Sequence, residues 1–477
     1  MKTAIIKSSF AKAIIVTITM ALILLLTSTT FGAAELITLE EALEIGKENN
    51  YELEQKREAV MSLERERDIL EAGIDWYVRA DGNYSYNTEG PTFESPVIVK
   101  DGDGLGFTIT GRKETLDGTL IESQMRSQDN DMFDFDDYQF KLDVSKRLYP
   151  ILPTDTEKGF IQTDNRLIIA EADLAYTLAS KEVEWLESYL EILRLEQRLE
   201  YSKTSYKLTE EELSKVKEQV EIDEAGQDQL LMAEISLQEA KLQQEQLLTS
   251  VVQARDSFAM ELGLEDSSSI HVLESNYLNR FLQKANSVDI TDIDQEVIEL
   301  IETNNVQLRE IILNIDYTEK ELIWQEKDGD LKVNASGGYN YNAAALDEKD
   351  SVEISLGISY DFHDGGQQEL AIEKIEAKMD NLQEQYDYTL NQLKLQLKAM
   401  LAQQKLNRLR LQSVETALEK ARLEENLYKR QLDEGVITEN QYKQKTIAVR
   451  IAEIDYQEAE DQLLLGKLRI ALFTGLY

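Results

Sequence analysis

The feature that most limits what this chain can fold into is that it repeats itself. Asn49-Asn50 returns as Asn304-Asn305. At that same spacing, with no gap, Leu53 returns as Leu308, Asp75 as Asp330, Val78 as Val333 and Ala80 as Ala335. Tyr84-Ser85-Tyr86-Asn87 likewise returns as Tyr339-Asn340-Tyr341-Asn342. Further on, Leu142, Val144 and Ser145 match Leu356, Ile358 and Ser359, and Gly263-Leu264 matches Gly475-Leu476, at shorter spacings. The first copy therefore holds extra chain across 88–137. One unit is used twice: helix, strand, loop, strand, long helix, reversal, helix.

Each copy has two segments with a period of two. In the first copy, Ile74, Trp76, Val78, Ala80, Gly82, Tyr84 and Tyr86 alternate with Asp75, Tyr77, Arg79, Asp81, Asn83, Ser85 and Asn87. Tyr138, Phe140, Leu142, Val144 and Leu148 alternate with Gln139, Lys141, Asp143, Ser145 and Arg147. In the second copy, Val333, Ala335, Gly337, Tyr339 and Tyr341 oppose Lys332, Asn334, Ser336, Gly338 and Asn340. Val352, Ile354, Leu356, Ile358, Tyr360 and Phe362 then oppose Glu353, Ser355, Gly357, Ser359, Asp361 and His363. Successive side chains of a strand point to opposite faces, so each segment has one apolar and one polar face. A soluble sheet alternates in this way too, but its strands are usually shorter and less regular. Four strands, at about 74–87, 138–149, 330–342 and 352–363, with aromatic residues near their ends, fit a membrane barrel with lipid outside and water inside. On that reading Trp76, Val78, Tyr84, Tyr86, Tyr339, Tyr341, Tyr360 and Phe362 face lipid.

The rest of the chain is helical. Thr38-Leu39-Glu40-Glu41 is a capping-box pattern, and a helix should follow to about Ala72. From about Phe160 to Ile222 there is no Pro or Gly, which predicts a helix on the order of 90 Å long. Asp223-Glu224-Ala225-Gly226 is the natural reversal, and a second helix runs to Leu262. Residues 263–293 read as irregular, and 294–327 as helix. The second copy repeats the helical hairpin at about 367–473. The first repeat thus spans 35–262 and the second 294–477. Residues 88–137 read as an elaborated loop, with a hairpin around Asp117-Gly118.

Charge and composition narrow the setting. The formal charge is −41, which repels nucleic acid and anionic headgroups. The first 34 residues run the other way: Lys2, Lys7 and Lys12, then an apolar stretch from Ala13 to Leu26, then small residues ending at Ala34. That is the pattern of an export signal cleaved near Ala34. There is no Cys, so there are no disulfides, and the two His, His271 and His363, are far apart, so no His-based metal cluster is available. No phosphate loop, nucleophile elbow or metal-ligand spacing points to an enzyme, and no cofactor is implied.

Four strands cannot close, and an open edge is not tolerated in lipid, where the smallest common barrels have about eight strands. The missing strands must come from other copies of the chain. Two copies would give eight strands, and three would give twelve and could leave a lumen. Helices this long must project from the barrel and bury their seams against one another and against neighbouring subunits.

Several stretches resemble the TolC-like outer membrane factor family. Leu39-Glu40-Glu41-Ala42-Leu43 through Asn49-Asn50 resembles its opening, and Tyr360-Asp361-Phe362-His363-Asp364-Gly365-Gly366 its strand-to-helix junction. Gly435-Val436-Ile437-Thr438 resembles its second helical tip, and both repeats end in Gly-Leu. The resemblance implies a mainly α protein with a membrane β-barrel portion: a homotrimer with a twelve-stranded barrel in the outer membrane and a helical tunnel in the periplasm. It implies a passive exit duct for efflux or type I secretion, whose tips at Asp223–Gly226 and Gly435–Thr438 meet a periplasmic adaptor linked to an inner-membrane pump. Two positions depart from the family. Asp223 stands where the first tip usually has glycine. Gln441 and Gln444 stand where carboxylates often narrow the tunnel, leaving Asp433, Glu434 and Glu439 as nearby aperture candidates. A structural tether, with a barrel anchor and coiled-coil spacer, is the alternative reading.

Overall fold

The computed structural model describes residues 36–87, 102–129, 138–264, 270–272, 278–286, 290, 292–329, 331–344 and 347–477. The expected export signal at 1–34 lies outside the described residues. The helices are α1 Leu39–Asn49, α2 Tyr51–Gly73, α3 Asp155–Glu221, α4 Gln227–Glu261, α5 Leu278–Asn286, α6 Gln295–Asn304, α7 Val306–Asp328, α8 Gln367–Asp433 and α9 Glu439–Thr474. The strands are β1 Leu36–Ile37, β2 Tyr77–Asn87, β3 Gly102–Glu114, β4 Thr119–Asp129, β5 Tyr138–Tyr149, β6 His271–Val272, β7 Lys332–Ala344 and β8 Asp347–Ser359. No described helix is long and apolar enough to cross a membrane.

The duplication is visible in local geometry. α3 and α8 are each 67 residues long, about 100 Å at 1.5 Å per residue. Each repeat begins with a helix broken at the Asn-Asn pair, where one continuous helix was expected. The break has a simple cause: Asn50 Oδ1 accepts from Leu53 N at 3.1 Å, and Asn305 Oδ1 accepts from Leu308 N at 3.1 Å. An Asn that satisfies a free N–H of the next helix adopts extended backbone itself, so the preceding helix must stop there. The expected capping box at Thr38 is present: its N–H donates to Glu41 Oε2 at 2.8 Å, and its Oγ1 accepts from Glu41 N at 3.3 Å.

The described chain divides into two compact units. The first draws on the described residues of Met1–Glu48, Trp185–Leu278 and Ala421–Ile454. In it β1 pairs in parallel with β6, and Leu39, Ala42 and Leu43 are buried along with Trp185, Leu186, Tyr189, Phe258 and Leu262. Gly46 is required here, because a Cβ would sit 2.7 Å from the Trp185 ring. The stretch 263–293, expected to be irregular, contains β6 and the helix α5, the latter in the second unit.

The second unit comprises Asn49–Glu184, Asn279–Lys420 and Asp455–Tyr477. It holds a helical core in which Val297, Ile301, Leu308, Leu390, Leu393, Leu397, Ile470, Ala471 and Phe473 cluster. It also holds one antiparallel sheet of six strands, in the order β2-β3-β4-β5-β7-β8. Four strands were expected. The other two, β3 and β4, lie inside 88–137, which reads as a loop in the sequence apart from the hairpin turn at Asp117-Gly118. That turn is present, with Gly118 at φ +74. The last strand is also displaced: it runs 347–359 rather than 352–363.

Candidate functional site

The ladder aligns the apolar faces of all six strands. Val78, Ala80, Gly82 and Tyr84 stand opposite Gly111, Ile109, Phe107 and Leu105, and Ile109 stands opposite Met125. Met125, Ser123 and Ile121 meet Phe140, Leu142 and Val144, which meet Tyr341, Tyr339 and Gly337. Tyr339, Gly337, Ala335 and Val333 then meet Val352, Ile354, Leu356 and Ile358. Cross-strand partners share a face, so this is one apolar surface. It is uncovered: Val78 is 66% exposed, Ile354 86%, and Val352, Leu356 and Ile358 are exposed as well. An apolar face of this extent is not left to water in a soluble monomer. Charged residues on it, Lys113, Lys146 and Asp350, lie toward strand ends.

Aromatic side chains collect at both ends of the face. Tyr138 and Tyr341 rings lie 5.8 Å apart at one end, with Phe140 and Tyr339 at 6.4 Å. At the helix end, Trp76 precedes β2 and has Lys113 Nζ 5.9 Å from its ring. Tyr360 and Phe362 fall just past β8 rather than within a strand, with rings 5.2 Å apart and Phe362 93% exposed. Tyr86 is in β2.

The opposite face is polar. Arg79 pairs with Asp81 at 2.7 Å, Lys141 with Asp143 at 2.9 Å, and Arg112 lies between Glu114 and Glu122 at 3.6 and 3.7 Å. Both signs are present, so the acid excess of the chain is not concentrated on this wall. Asn334, Ser336, Asn340, Ser351 and Ser355 complete it with neutral polar groups. The sheet ends in two open edges, β2 and β8.

The two helical reversals lie in the first unit. Asp223, the departure noted in the sequence, adopts φ +58, and Gly435 adopts φ +71. Their hydrogen bonds correspond: Asp223 N donates to Val220 O and Glu224 N to Gln219 O, as Gly435 N does to Leu432 O and Val436 N to Gln431 O. The turn survives loss of the glycine because a short Asp side chain tolerates the left-handed region better than most. On the far side of each turn a Gln closes the next helix. Gly226 N donates to Gln229 Oε1 at 3.3 Å, and Thr438 N to Gln441 Oε1 at 2.9 Å.

Gln441 is engaged by Thr438, and Glu439 pairs with Lys443 at 2.8 Å, which holds its carboxyl below the usual carboxylate range. Asp433, Glu434 and Gln444 are exposed. Behind the tip, burial pushes the Glu453 carboxyl up, but hydrogen bonds from Arg450 at 2.7 Å and Arg422 at 3.0 Å outweigh it and leave the group lowered.

These features define a class: a protein with long helical hairpins and an antiparallel six-stranded sheet that has one uncovered apolar face and two open edges. Residues 297–476 match the family model described as outer membrane efflux protein. The solved structures agree on the fold over nearly the whole chain. The Campylobacter jejuni CmeC outer membrane channel matches with a TM-score of 0.62 at 11% identity, covering 92% of this chain and 85% of that one. A membrane protein from Pseudomonas aeruginosa matches at 0.60 and 14%, covering 92% and 93%. The open state of the Neisseria gonorrhoeae MtrE outer membrane channel matches at 0.58 and 10%, covering 92% and 88%. A comparison with the curated proteins finds no match. Residues 297–476 are thus similar to the outer membrane efflux protein family, and the chain as a whole has the TolC-like outer membrane channel fold.

Proposed function

We propose that the chain is the outer-membrane duct of a tripartite efflux or type I secretion system. Three copies close their sheets into one barrel, with Val78, Tyr84, Tyr339, Tyr341 and Ile354 toward lipid and Arg79, Asp81 and Asn83 toward water. Trp76, Tyr360 and Phe362 sit at the membrane boundary, where aromatic rings are favoured. The helical part stands in the periplasm, and the first 34 residues direct export and are removed. The tips at Asp223–Gly226 and Gly435–Thr438 receive a periplasmic adaptor, which joins the duct to an inner-membrane pump. Asp433, Glu434 and Gln444 contribute most directly to the aperture, because Gln441 and Glu439 have local partners. Transport is passive at this component, and the protein performs no chemistry.

The observation that carries this reading is the apolar face that continues across all six strands of a sheet whose two edges are open. In water such a sheet would aggregate through its face and its edges. In lipid the face is at home, and the edges must close on other copies.

The test is reconstitution of the purified protein in planar bilayers, with and without its adaptor and pump. Stepwise conductance is expected in at least the complete assembly. A properly inserted complex that never conducts, even with its partners, would instead indicate a sealed anchor that tethers the envelope.

A further inference from the structure

The hairpin β3–β4 lies within the sheet as two of its six strands. It is paired along nearly its whole length: β2 to β3 from Tyr77↔Arg112 to Asn87↔Gly102, and β4 to β5 from Thr119↔Lys146 to Ser127↔Tyr138. It therefore spans the same height as the strands on either side. Its faces continue theirs, with Leu105, Phe107, Ile109, Ile121 and Met125 on the apolar side and Thr108, Thr110, Glu122, Gln124 and Arg126 on the polar side. Phe107 and Met125 are exposed, as an outward-facing residue of a membrane barrel would be in a single chain. At its turn, Asp117 accepts hydrogen bonds from Thr115 Oγ1 and Thr119 N and forms an ion pair with Lys146 of β5. The hairpin is thereby fixed to the sheet at its base as well as along its sides.

Strand direction then decides how the sheet closes. All five pairings are antiparallel, so directions alternate across six strands, and β8 runs opposite to β2. The β8 edge of one copy can pair antiparallel with the β2 edge of the next without any change of direction. A ring of copies closes head to tail with six strands from each.

Given the trimeric duct proposed above, we infer that the barrel has eighteen strands, with β3 and β4 of each copy forming part of its water-lined wall. Barrel diameter grows roughly linearly with strand number, so eighteen strands give a mouth about half as wide again as twelve. Barrels of about 16–18 strands enclose an aqueous channel rather than a side-chain core. Only β2, β5, β7 and β8 connect to the long helical segments, and β3 and β4 are joined to each other by the turn at Thr115–Gly118. The added strands therefore widen the barrel without adding helices. The mouth becomes wider while the helical part keeps its helix number.

The absence of Cys from the chain makes the test direct. Single variants Thr110→Cys and Gln124→Cys, on the polar face, and Ile109→Cys and Met125→Cys, on the apolar face, are reconstituted into liposomes and treated with a membrane-impermeant maleimide. Ser355→Cys and Ile354→Cys serve as references in β8, and native mass gives the number of copies. The polar positions are expected to react at least tenfold faster than the apolar ones, in a complex of three copies. Thr108→Cys and Phe107→Cys replace any pair that fails to assemble. Equal, fast reaction at all hairpin positions, with alternation retained at 354 and 355, would place the hairpin in water and overturn the eighteen-stranded barrel while leaving the duct intact. A complex of any number other than three would also overturn it. Loss of alternation at 354 and 355 as well would instead remove the barrel reading itself. As an independent readout, a variant with residues 88–137 replaced by a short turn should exclude polymers that enter the wild-type mouth, and an unchanged cut-off would contradict the inference.

Discussion

The two repeats of this chain show which parts of a duplicated unit are fixed by architecture and which are free to diverge. The helix breaks at Asn50 and Asn305 make the same cap at the same distance. The long-helix turns at Asp223 and Gly435 make the same hydrogen bonds with different residues. Packing can be exchanged as a pair: where the first repeat sets Gly46 against Trp185, the second has Ile301 and Leu397 at the corresponding positions, both fully buried. A small residue with a very large one has been traded for two of intermediate size, both in the buried helical core of the second unit. The sheet diverges most, with two strands between β2 and β5 and none between β7 and β8.

The largest expected effect tests whether the added strands are equivalent to the duplicated ones. Ile354→Arg in β8 and Ile109→Arg in β3 should each cost about 2–4 kcal/mol near the membrane midplane. Both should sharply reduce the yield of assembled complex on semi-native gels. Ser355→Arg and Thr110→Arg, one residue along, should leave that yield nearly unchanged. If Ile109→Arg proved as mild as Thr110→Arg, the hairpin would not share the environment of β7 and β8.

The next effect concerns the exchanged packing. Gly46→Ile should overpack the Trp185 contact by about 1–3 kcal/mol, seen as a lower urea midpoint in detergent. Adding Trp185→Leu should restore part of the loss, with a favourable coupling of about 0.5–3 kcal/mol in the double-mutant cycle. Additive losses would show that the two repeats solve this contact independently.

A smaller effect is expected at the tips. Asp223→Gly should relieve left-handed strain and stabilise the first reversal by about 1 kcal/mol, whereas Gly435→Asp should weaken the second by a similar amount. Local hydrogen exchange at residues 218–226 and 430–438 reads both. The smallest effect is pH-dependent. Glu439 and Glu453 are held below their ordinary 4.5, so the stability they add is complete above about pH 4.5 and is lost as pH falls through their folded values. The corresponding positions in the first repeat are Gln227 and Lys241, which cannot lose a carboxylate charge. Acidification should therefore lower hydrogen-exchange protection, relative to the intrinsic rate at each pH, in the α8–α9 hairpin more than in α3–α4.

Much of this fold is legible in the sequence because the underlying signals are periodic. Period-two alternation locates β2, β5 and β7, and long runs without Pro or Gly locate α3 and α8. The hairpin β3–β4 is harder to read, since Gly102, Gly104, Gly106 and Gly111 resemble loop composition. Yet Leu105, Phe107 and Ile109 alternate between them, and that was the available signal. The break at Asn50 is hidden because neither Pro nor Gly marks it, and the cap depends on a side chain turning back to the backbone. At the tips, the sequence shows that Asp223 is not glycine but not that the turn tolerates it. The exchange of Gly46 and Trp185 for Ile301 and Leu397 links residues distant in sequence, and only the packed structure joins them.

The duct depends on closure of the sheet's open edges by other copies. That closure is tested most directly by double-cysteine variants combining Asn83→Cys in β2 with Ser351→Cys, Ser355→Cys or Ser359→Cys in β8, oxidised in the membrane and resolved on denaturing gels. At least one pair, in register, is expected to give a covalent ladder ending at three chains. A chain that stays monomeric at all three pairs while folded in the membrane would contradict it.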